Sequence, residues 1–176
     1  MIRSADPARD GAACAAIYAP YVRDTAISFE QVAPADAEVA ARIRRAQETH
    51  VWLVAERDEA VVGFAYAGPH RERAAYRWAA DVAVYVARDH VGHGIGHALY
   101  TALLERLRDQ GVHVACAGIT LPNAASVALH EALGFRPVGV YRDIGFKAGS
   151  WHDVGWWQLA LRPPDGSPPE LRSLPH

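Results

Sequence analysis

Eight residues, 91–98, constrain this chain more than any others, and they read Val-Gly-His-Gly-Ile-Gly-His-Ala. They follow a strand-like run at 81–86 and precede apolar residues at helical spacing. Glycine permits a tight turn and a close approach of the backbone to a ligand. The free N–H groups and the dipole of a helix N-terminus attract anions. The pattern therefore predicts a strand, a phosphate-binding turn and a helix.

Several interpretations of this turn compete. A dinucleotide site is disfavoured, because the spacing is G-x-G-x-G in mid-chain and no acidic residue follows at the usual distance. A P-loop is excluded, because no Lys-Ser or Lys-Thr pair follows the glycines. A tight turn without a ligand and a cradle for the pyrophosphate of coenzyme A both stay open.

Composition sets further bounds. The 176 residues carry a net charge of −2, so nothing favours binding to nucleic acid. No apolar run is long enough to span a membrane, and no apolar signal segment opens the chain. Cys14 and Cys116 are the two cysteines, which is typical of buried thiols in a reducing cytoplasm. We expect one domain at 1–162 and a disordered, proline-rich tail at 163–176.

Hydrophobic periodicity and turn residues predict alternating strands and helices, and hence an α/β fold. The predicted helices are 7–21, 34–49, 95–110 and 123–133. The predicted strands are 2–5, 51–56, 60–67, 77–86, 112–119, 135–144 and 154–161.

Residues 84–98 resemble motif A of the GNAT acetyltransferases, and residues 123–135 resemble their motif B. The segments "LPNAASVALHEALGF" and "GSWHDVGWWQ", with Arg-x-Ala-Tyr-x-Trp at 73–78, resemble the phosphinothricin and methionine sulfoximine N-acetyltransferase branch. The resemblance covers residues 2–161. It implies a mixed, mostly antiparallel sheet of about seven strands flanked by helices, in a homodimer. Strands 77–86 and 112–119 would splay apart and form the coenzyme A cleft.

The resemblance also implies how acetyl-CoA binds, as co-substrate and without a metal. Backbone groups near Val84 would pair with the pantetheine arm, and N–H groups of the turn would hold the pyrophosphate. Val91 stands where the family usually has Gln or Arg. The implied cofactor-binding residues are Val84, Tyr85, Val86, Val91, Gly92, His93, Gly94, Ile95, Gly96, Asn123 and Ser126. His93 and His97 have helical spacing, but no third ligand completes a metal set.

Two residues are the predicted general base and general acid. An amine titrating near 8 must lose a proton before it attacks a thioester. Asp81 would take this proton, directly or through water; the branch usually has Glu here, one methylene longer. His130 stands on the motif B helix, where the resemblance implies the acid that protonates the leaving thiolate.

The resemblance implies an acceptor that carries a carboxylate. Arg73 and Arg71 would grip it, and Tyr76 and Phe29 would wall the pocket. The prediction is a cytoplasmic N-acetyltransferase that modifies the α-amine of a small amino-acid-like acceptor and confers antibiotic resistance. Two alternatives are an acetyltransferase for another amine (polyamine, aminoglycoside or protein N-terminus) and a non-catalytic acyl-CoA sensor.

Overall fold

The structure, a computed structural model, describes residues 1–172. The helices are α1 (Pro7–Asp24), α2 (Asp36–Gln47), α3 (Ile95–Gln110) and α4 (Ala124–Ala132), with short 3-10 helices at Ala74–Tyr76 and Arg88–His90. The strands are β1 (Ile2–Ser4), β2 (Trp52–Arg57), β3 (Ala60–Pro69), β4 (Ala79–Val86), β5 (Val114–Leu121), β6 (Arg136–Lys147) and β7 (Ser150–Ala160). No helix within residues 1–172 is long and apolar enough to cross a membrane.

The strands form one seven-stranded sheet in the order β1-β2-β3-β4-β5-β7-β6. Only β4 and β5 are parallel among the described neighbours, and every other pair is antiparallel. The predicted mixed, mostly antiparallel sheet is therefore confirmed.

β4 and β5 pair over three rungs only, from Ala79 opposite Val114 to Asp81 opposite Cys116. Beyond Asp81, β4 continues to follow β3, whereas β5 follows β7 as far as Leu121. The two strands therefore diverge and leave a gap in the middle of the sheet. This gap lies between the two strands for which the sequence predicted a splay.

Two hydrophobic clusters hold the sheet between its helices. On one face, the apolar stripe of α3 is fully buried and includes Leu99, Leu103 and Leu107. On the other face, α1 and α2 cover β2 and β3, with Cys14 and Ile43 fully buried. Each such aliphatic side chain stabilises the fold by about 1.5–3 kcal/mol, so both clusters fix the strands that flank the gap.

Several boundaries differ from the sequence prediction. Helix α1 continues through Pro20 to Asp24. Strands β6 and β7 are longer than predicted and meet at Ala148 and Gly149, both with positive φ (51° and 77°). Two left-handed residues form the turn that a tight hairpin requires. The sequence prediction missed this turn because Ala148 is a residue that rarely adopts such a conformation.

The tail makes contacts that its composition did not predict. The indole Nε1 of Trp78 donates a hydrogen bond to the carbonyl of Pro169 (2.7 Å). The backbone N–H of Arg172 donates to the carbonyl of Gln110 (2.8 Å), and Leu171 packs against the core. The rest of the predicted disordered tail, residues 173–176, lies outside the described residues.

Candidate active site

Asp81 lies at the vertex of the gap, on the last rung that joins β4 to β5. Its side chain is 39% exposed, and Oδ1 lies 2.6 Å from Nδ1 of His70. Burial raises the pKa of the Asp81 carboxyl, while the hydrogen bond from His70 opposes that rise. The vertex therefore holds a carboxylate with an imidazole partner.

The backbone of β4 supplies polar groups to the gap. The N–H of Ala87 donates to the carbonyl of Val62 on the β3 side. Because the backbone groups of successive strand residues point to alternate sides, those of Val84 and Val86 face the gap. The hydroxyl of Tyr21 donates to the carbonyl of Val86. Tyr85 instead contributes its ring, which packs edge-on against Tyr18 and Tyr21.

The glycine turn is open to solvent and conformationally specialised. Gly92 and Gly94 have φ of 85° and 77°, and no atom lies within 4 Å of where a Cβ would be. Gly94 is the N-cap of α3 and provides no side-chain cap, so the first N–H groups of the helix lack that partner. Val91, His93 and Ile95 are at least partly exposed around the turn. This local structure fits the pyrophosphate of a cofactor.

His130 projects from α4 into a cavity of about 70 Å³ beside the gap, which it shares with Tyr100, Asn123 and Ser126. The side-chain oxygen of Asn123 accepts a hydrogen bond from the N–H of Ser126 (3.1 Å) and so caps α4. Nδ1 of His130 lies 2.7 Å from the carbonyl of Ser126, and Nε2 lies 3.0 Å from the hydroxyl of Tyr100.

The environment of His130 defines its protonation. Its residue is only 3% exposed, and burial lowers its pKa. A neutral ring that donates from Nδ1 to the Ser126 carbonyl has an unprotonated Nε2, which therefore accepts from Tyr100. His130 thus has no free N–H, and the hydroxyl of Tyr100 is the hydrogen-bond donor to its Nε2.

A larger cavity of about 630 Å³ adjoins the same gap. Phe29 forms one wall, while Gly118 and Trp156 line the cavity from β5 and β7. Lys147, at the end of β6, is buried and donates from Nζ to the carbonyls of Val22 (2.7 Å) and Ser28. Lys147 therefore fixes the loop that carries Phe29.

A family model described as "Acetyltransferase (GNAT) domain" matches residues 2–156. The chain belongs to the GNAT acetyltransferase family.

Relatives in this GNAT family share much of the chain. A phosphinothricin N-acetyltransferase of Streptomyces viridochromogenes is 42% identical over 86% of this chain and 82% of its own. An L-methionine sulfoximine/L-methionine sulfone acetyltransferase of Pseudomonas aeruginosa is 41% identical over 70% and 73%. The structure of a GNAT phosphinothricin acetyltransferase from Sinorhizobium meliloti, in complex with acetyl-CoA, superposes with a TM-score of 0.92. It is 33% identical and covers 97% of this chain and 93% of its own.

These findings confirm the predicted family, fold class and enzyme class. The predicted acetyl-CoA requirement agrees with the Sinorhizobium complex and with an acetyltransferase from Salmonella typhimurium, solved with its cofactor acetyl-CoA. The Salmonella structure has a TM-score of 0.91 at 34% identity and covers 96% of this chain and 97% of its own.

The predicted acceptor-binding residues of this GNAT chain fall into two groups. Arg71 is exposed, and its Nη1 donates to the carbonyl of His70 (2.9 Å). Tyr76 packs edge-on against the ring of His70, with 6.0 Å between the centroids. Arg73 is exposed beside them and precedes a 3-10 helix. Phe29 belongs to the larger cavity, so the structure separates it from the arginines.

Three residues of the site escaped the sequence interpretation: His70, Tyr100 and Lys147. His70 and Tyr100 meet their partners through strand register and helix packing, which local patterns do not reveal. The sequence did contain one indication that Lys147 is unusual: it is the single lysine among the 18 lysine and arginine residues of the chain.

Proposed function

We propose that this chain transfers the acetyl group of acetyl-CoA to the α-amine of a small amino acid derivative such as phosphinothricin or methionine sulfoximine. The observation that carries the proposal is the divergence of β4 from β5 immediately after Asp81. It leaves a gap with the glycine turn and the N-terminus of α3 at one end and a carboxylate at the vertex. The names of the relatives support this choice of acceptor.

The gap offers a place for the thioester arm. The arm takes the place of the strand partner that β4 lacks, and it pairs with the backbone groups of Val84 and Val86. An N–H in this segment polarises the thioester carbonyl. Acetyl-CoA supplies the acyl group, and the chain supplies orientation and proton transfer. Residues 1–162 are the catalytic domain.

Proton delivery to the departing sulfur involves Tyr100 and His130 together. The Tyr100 hydroxyl is hydrogen-bonded to Nε2 of His130, so when Tyr100 gives its proton to sulfur, a proton from solvent taken up at Nε2 restores the hydroxyl. Both residues line the cavity beside the gap. We therefore assign the acid role to the pair, with Tyr100 as the group that contacts sulfur.

Arg71 and Arg73 recognise the acceptor's carboxylate, since guanidinium groups bind carboxylates with paired hydrogen bonds. Arg71 lies next to His70, and hence close to Asp81. A cationic acceptor would be repelled by both arginines, which disfavours polyamines and aminoglycosides.

The proposed assembly is a homodimer formed through β6 and the adjoining hairpin. Strand β6 is an edge strand, and exposed apolar side chains mark its surface: Val138, Val140, Tyr141, Ile144 and Phe146, with Trp151 on β7. Exposed apolar patches of this kind are typical of interfaces. Light scattering should give twice the chain mass for the wild type and a smaller mass for Phe146→Glu.

The proposed setting is the cytoplasm, and the proposed role is resistance to an amino-acid-like antibiotic. Cys14 and Cys116 are both free thiols, which agrees with a reducing compartment.

Release of the coenzyme A thiol tests the function. Acetyl-CoA is offered with phosphinothricin, methionine sulfoximine, methionine sulfone and several cationic amines. Turnover with the anionic amino acids, and a large loss in Asp81→Asn, are the expected results. Turnover restricted to cationic amines would contradict the acceptor assignment, and binding of acetyl-CoA without any turnover would indicate a sensor.

A further inference from the structure

His70 is fixed beside Asp81 by the backbone. It directly follows Pro69, the last residue of β3, and Pro69 pairs with Ala80 of β4. The N–H of His70 donates to the carbonyl of Ala79 (3.3 Å). Its ring also packs edge-on against Tyr76 and Trp156, with centroids 6.0 and 5.9 Å away. The imidazole therefore has a defined position.

The contact with Asp81 defines the tautomer of His70. A carboxylate accepts hydrogen bonds and donates none, so Nδ1 of His70 carries the proton in the 2.6 Å contact. Nε2 then carries a lone pair. Within residues 1–172 no hydrogen bond engages Nε2, and the side chain is 18% exposed. Trp156, against which the ring packs, also lines the larger cavity.

The two side chains differ in how well they suit the proton that must be removed. The amine that must be deprotonated titrates near 8, and histidine is the side chain that most often serves as a general base at neutral pH. Oδ1 of Asp81 is also already engaged by Nδ1 of His70. We propose that Nε2 of His70 is the atom that takes the amine's proton, and that Asp81 is the positioning carboxylate that holds it. This inference rests on the proposed transfer to an amine.

The protons and electron pairs of the reaction balance without any further reactant. The acceptor's ammonium gives one proton to Nε2 of His70, which later releases it to water. The nitrogen lone pair then forms the C–N bond to the acetyl carbon, and the C–S bond breaks with its electron pair on sulfur. The second nitrogen proton is lost as the amide forms, and one proton is taken up by the thiolate.

Several ionisable groups surround the dyad. Arg71 lies beside His70, and Tyr76 faces the ring from the 3-10 helix. Cys116 faces it from β5: its sulfur, one ring nitrogen of His70 and a carboxylate oxygen of Asp81 all lie within 4.8 Å of one another. Burial raises the pKa of Cys116 to about 11, so the thiol stays neutral. Tyr66, on β3, also stays neutral, because burial raises its pKa.

The decisive experiment measures kcat/KM against pH, from 5.5 to 9, for the wild type, His70→Asn, Asp81→Glu and the double variant. His70→Asn keeps a hydrogen-bond donor near Asp81 but removes the base. It should lower kcat/KM by about a hundredfold and abolish the acid limb that belongs to the imidazole. In the Asp81→Glu background the longer carboxylate reaches the amine, so His70→Asn should cost less than about threefold. His113→Asn, which changes a histidine beside the tail, should leave the profile unchanged.

Two results would count against the inference. An unchanged acid limb in His70→Asn would overturn it, and so would equal losses from His70→Asn with Asp81 or Glu at position 81. A loss explained by unfolding would appear in the thermal melting of His70→Asn, and His70→Gln then repeats the test. Failure of the proposed function is separate, because the wild type itself would bind acetyl-CoA and turn over no acceptor.

Discussion

The ring of Phe29 lies directly against the backbone of Gly145. A Cβ placed on Gly145 would overlap three atoms of that ring. Phe29 forms a wall of the 630 Å³ cavity beside the gap, so a glycine on β6 sets the position of that wall.

Gly145→Ala should push Phe29 into this cavity and raise the KM for the acceptor by about tenfold, because overpacking costs about 1–3 kcal/mol. The KM for acetyl-CoA should change little. Gly139→Ala is the matched control, since it lies on the same strand and no atom lies within 4 Å of the added Cβ. Equal effects of the two substitutions on the acceptor KM would argue against a wall at Phe29.

Gly94→Ala should weaken acetyl-CoA binding. Its φ of 77° is unfavourable for alanine, at a cost of about 1–2 kcal/mol, and the new Cβ would occupy space that a phosphate needs. We expect the Kd for acetyl-CoA to rise at least fivefold by calorimetry. Gly166→Ala carries the same strain on the tail, where φ is 66°, and should leave the Kd unchanged. An unaltered Kd in Gly94→Ala would show that the turn does not contact acetyl-CoA.

Tyr100→Phe should lower kcat by about tenfold to a hundredfold and leave both KM values near those of the wild type. The substitution deletes only the hydroxyl that donates to Nε2 of His130 (3.0 Å). Steady-state kinetics with acetyl-CoA and with a thioester of a more acidic thiol separates the roles. A proton donor matters less for the better leaving group, so an equal loss with both thioesters would point to packing alone.

Stability should fall as the pH decreases below neutrality. Burial lowers the pKa of both His130 and His50. The unfolded chain therefore binds more protons than the folded one once the pH passes below about 6.5. The stabilisation is fully present above that value and is lost as the pH falls towards the folded pKa values. Asp81, whose pKa is raised by burial, opposes this trend.

Urea unfolding at pH 7.5, 6.5 and 5.5 measures this dependence. The free energy of unfolding should decrease across the series, and the decrease should be smaller in His130→Gln, which has no imidazole to protonate. A slope that is identical in His130→Gln would mean that His130 is already charged in the fold. The ion pair between Asp10 and Arg3 belongs to a more acidic range, because the pKa of Asp10 is lowered in the fold.

Local patterns predicted the elements that are local in sequence. The turn before α3 depends on Gly92 and Gly94, which lie two residues apart, and Asn123 caps the helix that directly follows it. The partner of Asp81 could not be predicted in this way. Residues 70 and 81 meet because β3 and β4 pair with Gly68 opposite Asp81, and a shift of this register would separate them. Tyr100 and His130 likewise meet only through the packing of α3 and α4.

The buried Lys147 also bears on chemical labelling. It is the only lysine of the chain, and its Nζ is held by the carbonyls of Val22 and Ser28. An enzyme that works beside a reactive thioester therefore presents no free lysine on its own surface. Amine-directed dyes and crosslinkers should therefore modify the lysine of the folded protein slowly.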